Sequence, residues 1–361
     1  MATMATMAAM SLDLLRRTLA TVQDPDLHKD LVALNMVRNL VIEDGVARFD
    51  LVLTTGACPV KQQLEDQCRA AALTVPGVTR ADITVSAEVP KGQDVSEQMP
   101  GVRHIIGVGS GKGGVGKSTV AANLACALAM SGARVGLLDA DIYGPSVPTM
   151  FGIHEQPQVQ DKKLQPPTAH GVKLMSMGFL IDRDQPVVWR GPMLMGALRQ
   201  FLTDVAWGEL DYLLVDLPPG TGDIQLTLAQ SVKLAGAVVV STPQAVALAD
   251  VRRSVAMFAK VNVPMFGIVE NMSDFVCPKC GHVEPIFGHG GAEDEASILG
   301  MPFLGRIPLE PGVRVAGDVG TPVVISHPDS ISAQAFRALA ARVAQQVSIA
   351  AYQRASQKPQ V

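Results

Sequence analysis

From His104 onward, apolar runs alternate with stretches of helical spacing. His104–Gly109, Arg134–Asp139, Tyr212–Asp216, Ala237–Ser241, Met265–Val269 and Phe303–Ile307 are apolar along their length rather than at every second position. Such runs suit strands of a parallel sheet covered on both faces. Helical segments between them, of which Thr119–Met130 is the clearest, predict a doubly wound, mostly parallel α/β domain. Ser332–Gln353 has helical composition and spacing. The N-terminal stretch has a different rhythm. Leu12, Leu15 and Leu19 share one face of a helix predicted over Ser11–Ala20. A turn at Asp24-Pro25-Asp26 follows, then two strand-like runs, Val37–Ile42 and Ala47–Leu53, joined by the hairpin signal Glu43-Asp44-Gly45. A helix over Val60–Leu73 stops near Pro76-Gly77, and a strand over Ala81–Ala87 closes the block. The chain therefore divides into a small α+β domain over 10–89, a Pro- and Gly-bearing linker over 90–101, and the α/β domain over 102–355.

Composition narrows the setting. The 361 residues suit about two domains, and 48% apolar with 18% charged residues is a globular balance. A formal net charge of -4 supplies no global basic field, which argues against a nucleic-acid partner. Five cysteines, an odd number in a chain this long, point to reduced thiols and a cytoplasmic location rather than a disulfide scaffold. The opening MATMATMAAM lacks the basic flank of a signal peptide, and no apolar run is long enough to predict a membrane span. Phe336–Val343 is only mildly amphipathic and reads as a packing helix rather than a membrane anchor.

The chemistry begins at Gly111-Lys112-Gly113-Gly114-Val115-Gly116-Lys117-Ser118, followed by Thr119. It satisfies the phosphate-loop pattern G-x-x-x-x-G-K-[ST] in the required context, after an apolar strand and before a helix. Glycines let backbone N–H groups converge on phosphate oxygens at a helix N-terminus. Lys117 is placed to meet the β and γ phosphates of ATP, and the Ser118 hydroxyl to ligate Mg²⁺. Asp211–Asp216 is an apolar run ending in an acid, the arrangement that holds Mg²⁺ through Asp216. Pro218-Pro219-Gly220-Thr221-Gly222-Asp223 follows, a loop suited to sensing the γ-phosphate.

A phosphate loop does not need the lysine at position 112. The form G-K-G-G-x-G-K-[ST] resembles the deviant Walker A signature of the MinD/ParA/nitrogenase-iron-protein class. That resemblance implies a homodimer in which Lys112 reaches the partner's nucleotide, since charge supplied in trans accelerates phosphoryl transfer by roughly 10³ to 10⁵. It also implies that Asp141, in Asp139-Ala140-Asp141, orients the attacking water with Asp139 in support, and that Asn271 contacts adenine.

Cys277-Pro278-Lys279-Cys280 is a C-x-x-C, followed by Gly281-His282. Two thiolates grip one edge of a metal or cluster, whereas zinc and iron–sulfur centres usually take four ligands. One chain carries a single such pair, so a twofold dimer is the simplest way to complete the shell. A zinc knob using His282 or His289 competes with that reading. A redox dithiol is disfavoured, because the pair does not open a helix. Cys68 and Cys126 read as core residues, while Cys58, at a strand-to-helix junction, is either a reactive thiol or a small buried residue.

GSGKGGVGKST, LLDADIYGPS, LLVDLPPGTGD and VENMSDFVCPKCGH together resemble the Mrp/ApbC family of ATP-dependent iron–sulfur cluster carriers, across nearly all of the α/β block. DPDLHKDLVALNMVRNL and LTTGACPVK resemble the small iron–sulfur-assembly domain often fused ahead of that ATPase. The resemblance implies a labile iron–sulfur cluster, [4Fe–4S], bridged by Cys277 and Cys280 of two subunits. The cargo would arrive from assembly scaffold proteins and pass to apo iron–sulfur proteins as ATP is hydrolysed. A positioning ATPase of the MinD/ParA kind with a structural zinc loop is the alternative, and an ATP-driven electron donor is a second.

Overall fold

The computed structural model describes residues 2–90, 99–141, 144–179 and 191–357. The chain forms two compact units, one of residues 1–90 with 344–361, the other of residues 91–343.

In the first unit a helix, Ala2–Leu19 (α1), precedes a two-residue ladder of Gln23–Asp24 (β1) with Lys29–Asp30 (β2). The helix begins well before the expected Ser11. Leu15 and Leu19 are buried as their spacing predicts, whereas Leu12 is exposed. Asp24 Oδ1 accepts the N–H groups of Asp26 and Leu27 and shapes the predicted turn. Val37–Glu43 (β3) and Val46–Leu53 (β4) pair antiparallel with Glu43 opposite Val46. Asp44 and Gly45, both at positive φ, make the connecting turn, which suits the twist of a hairpin. Lys61–Leu73 (α2) leads back to Arg80–Ala87 (β5), parallel to β4. The sheet and helices enclose Phe49, Leu51, Leu64 and Cys68.

The second unit is a mostly parallel sheet with helices between its strands. Its strands are Val102–Gly109 (β6), Val135–Asp139 (β7), Val159–Gln160 (β8), Lys163–Leu164 (β9), Thr168–Ala169 (β10), Val172–Ser176 (β11), Leu210–Asp216 (β12), Gly236–Ser241 (β13), Met265–Val276 (β14), Val283–Glu284 (β15) and Phe303–Leu309 (β16). The main sheet runs β10-β11-β7-β12-β6-β13-β14-β15, with β16 also on β14, while β8 and β9 form a separate ladder. Pairing is parallel from β11 through β16 except at β10 and β15, which are antiparallel. Every residue of β7, β12 and β13 is buried, as continuous apolar runs require. Central β6 delivers the phosphate loop into Lys117–Met130 (α3). Later helices are Val147–Met150 (α4), Gly191–Thr203 (α5), Asp223–Ser231 (α6), Ala245–Lys260 (α7), Gly291–Ile298 (α8), Pro311–Asp318 (α9), Val323–Ser326 (α10) and Ile331–Gln357 (α11).

All six predicted strands of this block are present. Val172–Ser176 was not predicted as a strand, and β14 runs past its expected end at Val269 into the cysteine segment. The sequence reading kept the C-terminal helix with the α/β domain through residue 355, whereas residues from Ala344 onward belong to the first unit. There the Gln345 amide donates to Asp26, and the Lys29 ammonium lies over the Tyr352 ring at 5.1 Å. The middle of the expected linker, residues 91–98, lies outside the described residues.

Candidate functional site

The phosphate loop leaves β6 at the carboxyl end of the sheet, where ligands bind in this kind of fold. Two glycines are there for different reasons. Gly116 caps α3 at φ +79°, and a Cβ there would lie 2.3 Å from the Asn271 Nδ2. At Gly111 a Cβ would lie 2.5 Å from the backbone of Asp250 in α7. Gly116 answers to both a left-handed backbone and a close approach, Gly111 to close approach alone. The Gly220 N–H donates to the Ser110 carbonyl at 3.0 Å, which ties the loop after Asp216 to the base of the phosphate loop.

Lys117 is 5% exposed and its ammonium stands between two carboxylates, 2.5 Å from Asp216 Oδ1 and 3.7 Å from Asp141 Oδ2. Burial raises the Asp216 pKa and the Lys117 charge opposes the rise. Oδ2 of Asp216 and Oδ1 of Asp141 are buried and meet no donor at hydrogen-bond geometry. The Ser118 hydroxyl is 3.2 Å from the Lys117 ammonium. A hydroxyl beside unsatisfied anionic oxygens is the donor set a small hard cation takes, so these residues fit Mg²⁺. Asp139, fully buried at the end of β7, points elsewhere. Its Oδ1 accepts the Asp141 N–H at 3.2 Å, and its Oδ2 accepts the Val147 N–H at 3.2 Å and the Ser176 hydroxyl at 3.0 Å. Burial, then the nearby Asp216 charge, pushes its carboxyl up to about 7, against Lys117 and these hydrogen bonds.

Two cavities adjoin here. One of about 200 Å³ is lined by Lys112, Gly113, Gly114, Lys117, Ser118 and Asp141. A larger one, about 610 Å³, shares Gly116, Thr119 and Met150 with it and extends to Asn271, Pro308 and Arg314. The smaller, the phosphate cavity, lies against the phosphate loop, and the larger opens beside it. Asn271 lines the larger cavity and also donates from Nδ2 to the Val115 carbonyl at 2.8 Å, so it braces the phosphate loop as well as facing the cavity.

The cysteine pair lies at neither cavity. Cys277 follows β14, and the turn returns into β15 through two rungs, Phe275 opposite Glu284 and Val276 opposite Val283. The Cys277 N–H donates to the His282 carbonyl, and the Gly281 N–H to the Cys277 carbonyl, each at 2.9 Å, with Gly281 at φ +72°. Cys277 is half-buried and Cys280 exposed. The N–H groups of Lys279 and Cys280, with the Cys280 thiol, hydrogen-bond the Cys277 sulfur and hold its pKa below the usual thiol value. That turn lowers the Cys277 thiol without a helix. His282 pairs with Glu284 and His289 with Asp274, each at 3.1 Å. Among the described residues no cluster of three or more ligating side chains occurs.

Cys58 is half-buried. Burial pushes its thiol up, and the nearby Asp24 and Asp26 add to the rise against a hydrogen bond from the Val60 N–H and the Lys61 charge, which favours the buried-residue reading of the two. Cys68 and Cys126 are fully buried and their thiols are pushed up to about 11 and 12. Ser176 escaped the sequence reading altogether. It is a serine at the end of a short strand that contains a lysine, with no motif around it, and its carboxylate partner lies far away in sequence.

Comparison with known proteins follows the same division. A family model described as ParA, NUBPL iron-transfer P-loop NTPase, matches residues 101–344, and one for an iron–sulfur cluster assembly protein matches residues 13–85. The chain is 52% identical over 347 residues to an iron–sulfur cluster carrier protein of Synechocystis sp., covering 94% of this chain and 98% of that one. It is 47% identical over 334 residues to an iron–sulfur cluster carrier protein of Escherichia coli strain K12, covering 91% and 90%. A solved nucleotide-binding protein of Archaeoglobus fulgidus, in complex with ADP, is 43% identical with a TM-score of 0.57, covering 64% of this chain and 91% of that one.

Proposed function

The chain belongs to the ParA-type family of NUBPL iron-transfer P-loop NTPases, and on that premise we propose that it is an ATP-dependent iron–sulfur cluster carrier. Two subunits hold one cluster, read as [4Fe–4S], on Cys277 and Cys280 of each, and pass it to apo iron–sulfur proteins. Assembly scaffold proteins supply it. The observation that carries this reading is the exposed knuckle itself. It presents two thiols, one of them hydrogen-bonded at sulfur by its own turn, and no third ligand among the described residues joins them. A site with two ligands of its own is completed by a second copy, and one open to solvent suits release.

Residue roles follow from position. The segment Gly111–Thr119 cradles the phosphates of ATP, with Lys117 at the β and γ groups. Ser118 and Asp216 hold Mg²⁺, whose charge offsets that of the phosphates when bound. Asp141 orients a water whose oxygen bonds to the γ-phosphorus as the bond to the bridging oxygen breaks. ADP keeps that oxygen, and the water's protons go to the phosphate and to solvent. Lys112 of each subunit adds positive charge at the other's nucleotide, and Asn271 faces the adenine. Residues 10–89 form an iron–sulfur-assembly-like domain ahead of the NTPase domain, which begins at 102. No described helix is long and apolar enough to cross a membrane. We place the protein in the cytoplasm, with no nucleic-acid or membrane partner.

Anaerobic reconstitution with iron and sulfide tests the reading. A charge-transfer absorbance band at a dimer's elution volume is expected, absent from Cys277→Ser and Cys280→Ser, with ATP altering the transfer of iron to an apo-protein. A monomer that takes up zinc and no iron would sink the carrier reading.

A further inference from the structure

We propose that Ser176 is a positioning residue for ATP hydrolysis, acting through Asp139 to fix Asp141 at the phosphate cavity. The inference rests on the ATPase reading above and assigns a task to a residue that no motif marks.

The argument is one of hydrogen-bond supply. Asp139 is fully buried at the end of β7, and a buried carboxylate keeps a defined place only when its oxygens are satisfied. Two of its three bonds come from backbone N–H groups, those of Asp141 and Val147, and both are long at 3.2 Å. The remaining one, at 3.0 Å, is the Ser176 hydroxyl, the sole side-chain donor among them. A serine hydroxyl has one proton. The Ser176 oxygen accepts the Gly178 N–H at 2.9 Å, which leaves that proton for Asp139. Parallel register between β11 and β7 sets Ser176 beside Asp139, so the contact is built into the sheet.

Asp139 in turn accepts from the backbone at two places, Asp141 and Val147. Its Oδ1 holds the Asp141 backbone, and its Oδ2 holds the first residue of α4. Asp141 lines the phosphate cavity with one carboxylate oxygen 3.7 Å from the Lys117 ammonium and the other without a donor. Its aim therefore depends on a backbone that Asp139 anchors, and the Asp139 carboxylate depends on Ser176. Ser176 lines neither cavity, so its effect falls on the hydrolytic step rather than on nucleotide binding.

Steady-state ATP hydrolysis and binding of a fluorescent ADP analogue would be measured for wild type, Ser176→Ala, Asp139→Asn and the double variant. In Ser176→Ala, kcat should fall about tenfold while KM and analogue affinity stay within about twofold, the mark of a misaimed reacting group. The double variant should be no slower than Asp139→Asn alone, since a residue acting through Asp139 has nothing left to position. If Ser176→Ala does not fold, Ser176→Cys, similar in size with a weaker donor, enters the same comparison. A wild-type kcat in the serine variant, a loss confined to KM, or a double variant slowed by the product of the single effects would each overturn the proposal. A wild type without ATPase activity would instead count against the ATPase reading.

Discussion

The phosphate-loop region and the cysteine hairpin lie in the same unit and are built on opposite terms. Around Lys117 the charged groups are buried and cross-braced. The ammonium bridges Asp216 and Asp141, Asp139 pins the segment carrying Asp141, and Asn271 ties the loop to β14. The hairpin keeps one thiol exposed and the other half-buried, and two rungs hold its stem. Phosphoryl transfer is catalysed by pre-placed charge, which must be rigid and dry. The handover proposed for the hairpin calls instead for accessible ligands.

The strongest test of this contrast lies at the exposed end. Cys277→Ser or Cys280→Ser should reduce cluster iron to background, read by iron assay. Melting temperature should stay within about 2 °C of wild type, as for surface substitutions. A fall well beyond that would mean that the knuckle is structural.

At the buried end, Lys112→Ala should lower kcat by about 10³ or more with little change in nucleotide affinity, if the lysine acts across a dimer. Phosphate release measured against protein concentration checks it. Lys117→Ala should cost about 10² to 10³ in kcat. It should also destabilise the unit, because removing one member of a buried ion pair costs about 3–5 kcal/mol. The sign with pH is fixed. Without Lys117, the Asp216 pKa in the folded state rises further above its unfolded value, so stability is lost as pH rises through that raised pKa. Urea melts at pH 5 and pH 8 should show the larger deficit at pH 8.

Thiol chemistry separates the regions more finely. In the native protein iodoacetamide should modify Cys277 at least about tenfold faster than Cys68 or Cys126, as read by peptide mass spectrometry. Hydrogen bonds lower the first thiol, while burial pushes the other two up to about 11 and 12. The smallest effect is expected at the phosphate-loop turn. Gly116→Ala places a side chain at φ +79° and should cost about 1–2 kcal/mol in chemical denaturation. Its Cβ would also displace the Asn271 amide, so nucleotide affinity should fall with stability.

Much of this arrangement was legible in the sequence, and the exceptions have physical reasons. Five of the six predicted strands showed because burial on both faces forces continuous apolar runs, whereas β16 is only partly buried, and the phosphate loop showed because glycine spacing is its geometry. Val172–Ser176 did not, because Lys173 interrupts its apolar run, whereas β7, equally short, is apolar up to its terminal acid. The bonds from Asn271 to Val115 and from Ser176 to Asp139 join residues distant in sequence, and a single chain's pattern carries no trace of such pairs. The helix Ile331–Gln357 was legible as a helix but not in its allegiance, since periodicity states which face is apolar and not what covers it.

The stem beneath Cys277 is two rungs long. A ladder that short opens at little cost, so its amides should exchange with solvent deuterium quickly, whereas those of the buried strands β12 and β13 should wait for far larger openings. Metal on the thiols would clamp the turn and slow that exchange locally. The amides of Lys279 to Val283 would then serve as a built-in gauge of cargo, reporting from the backbone whether the carrier is laden or empty.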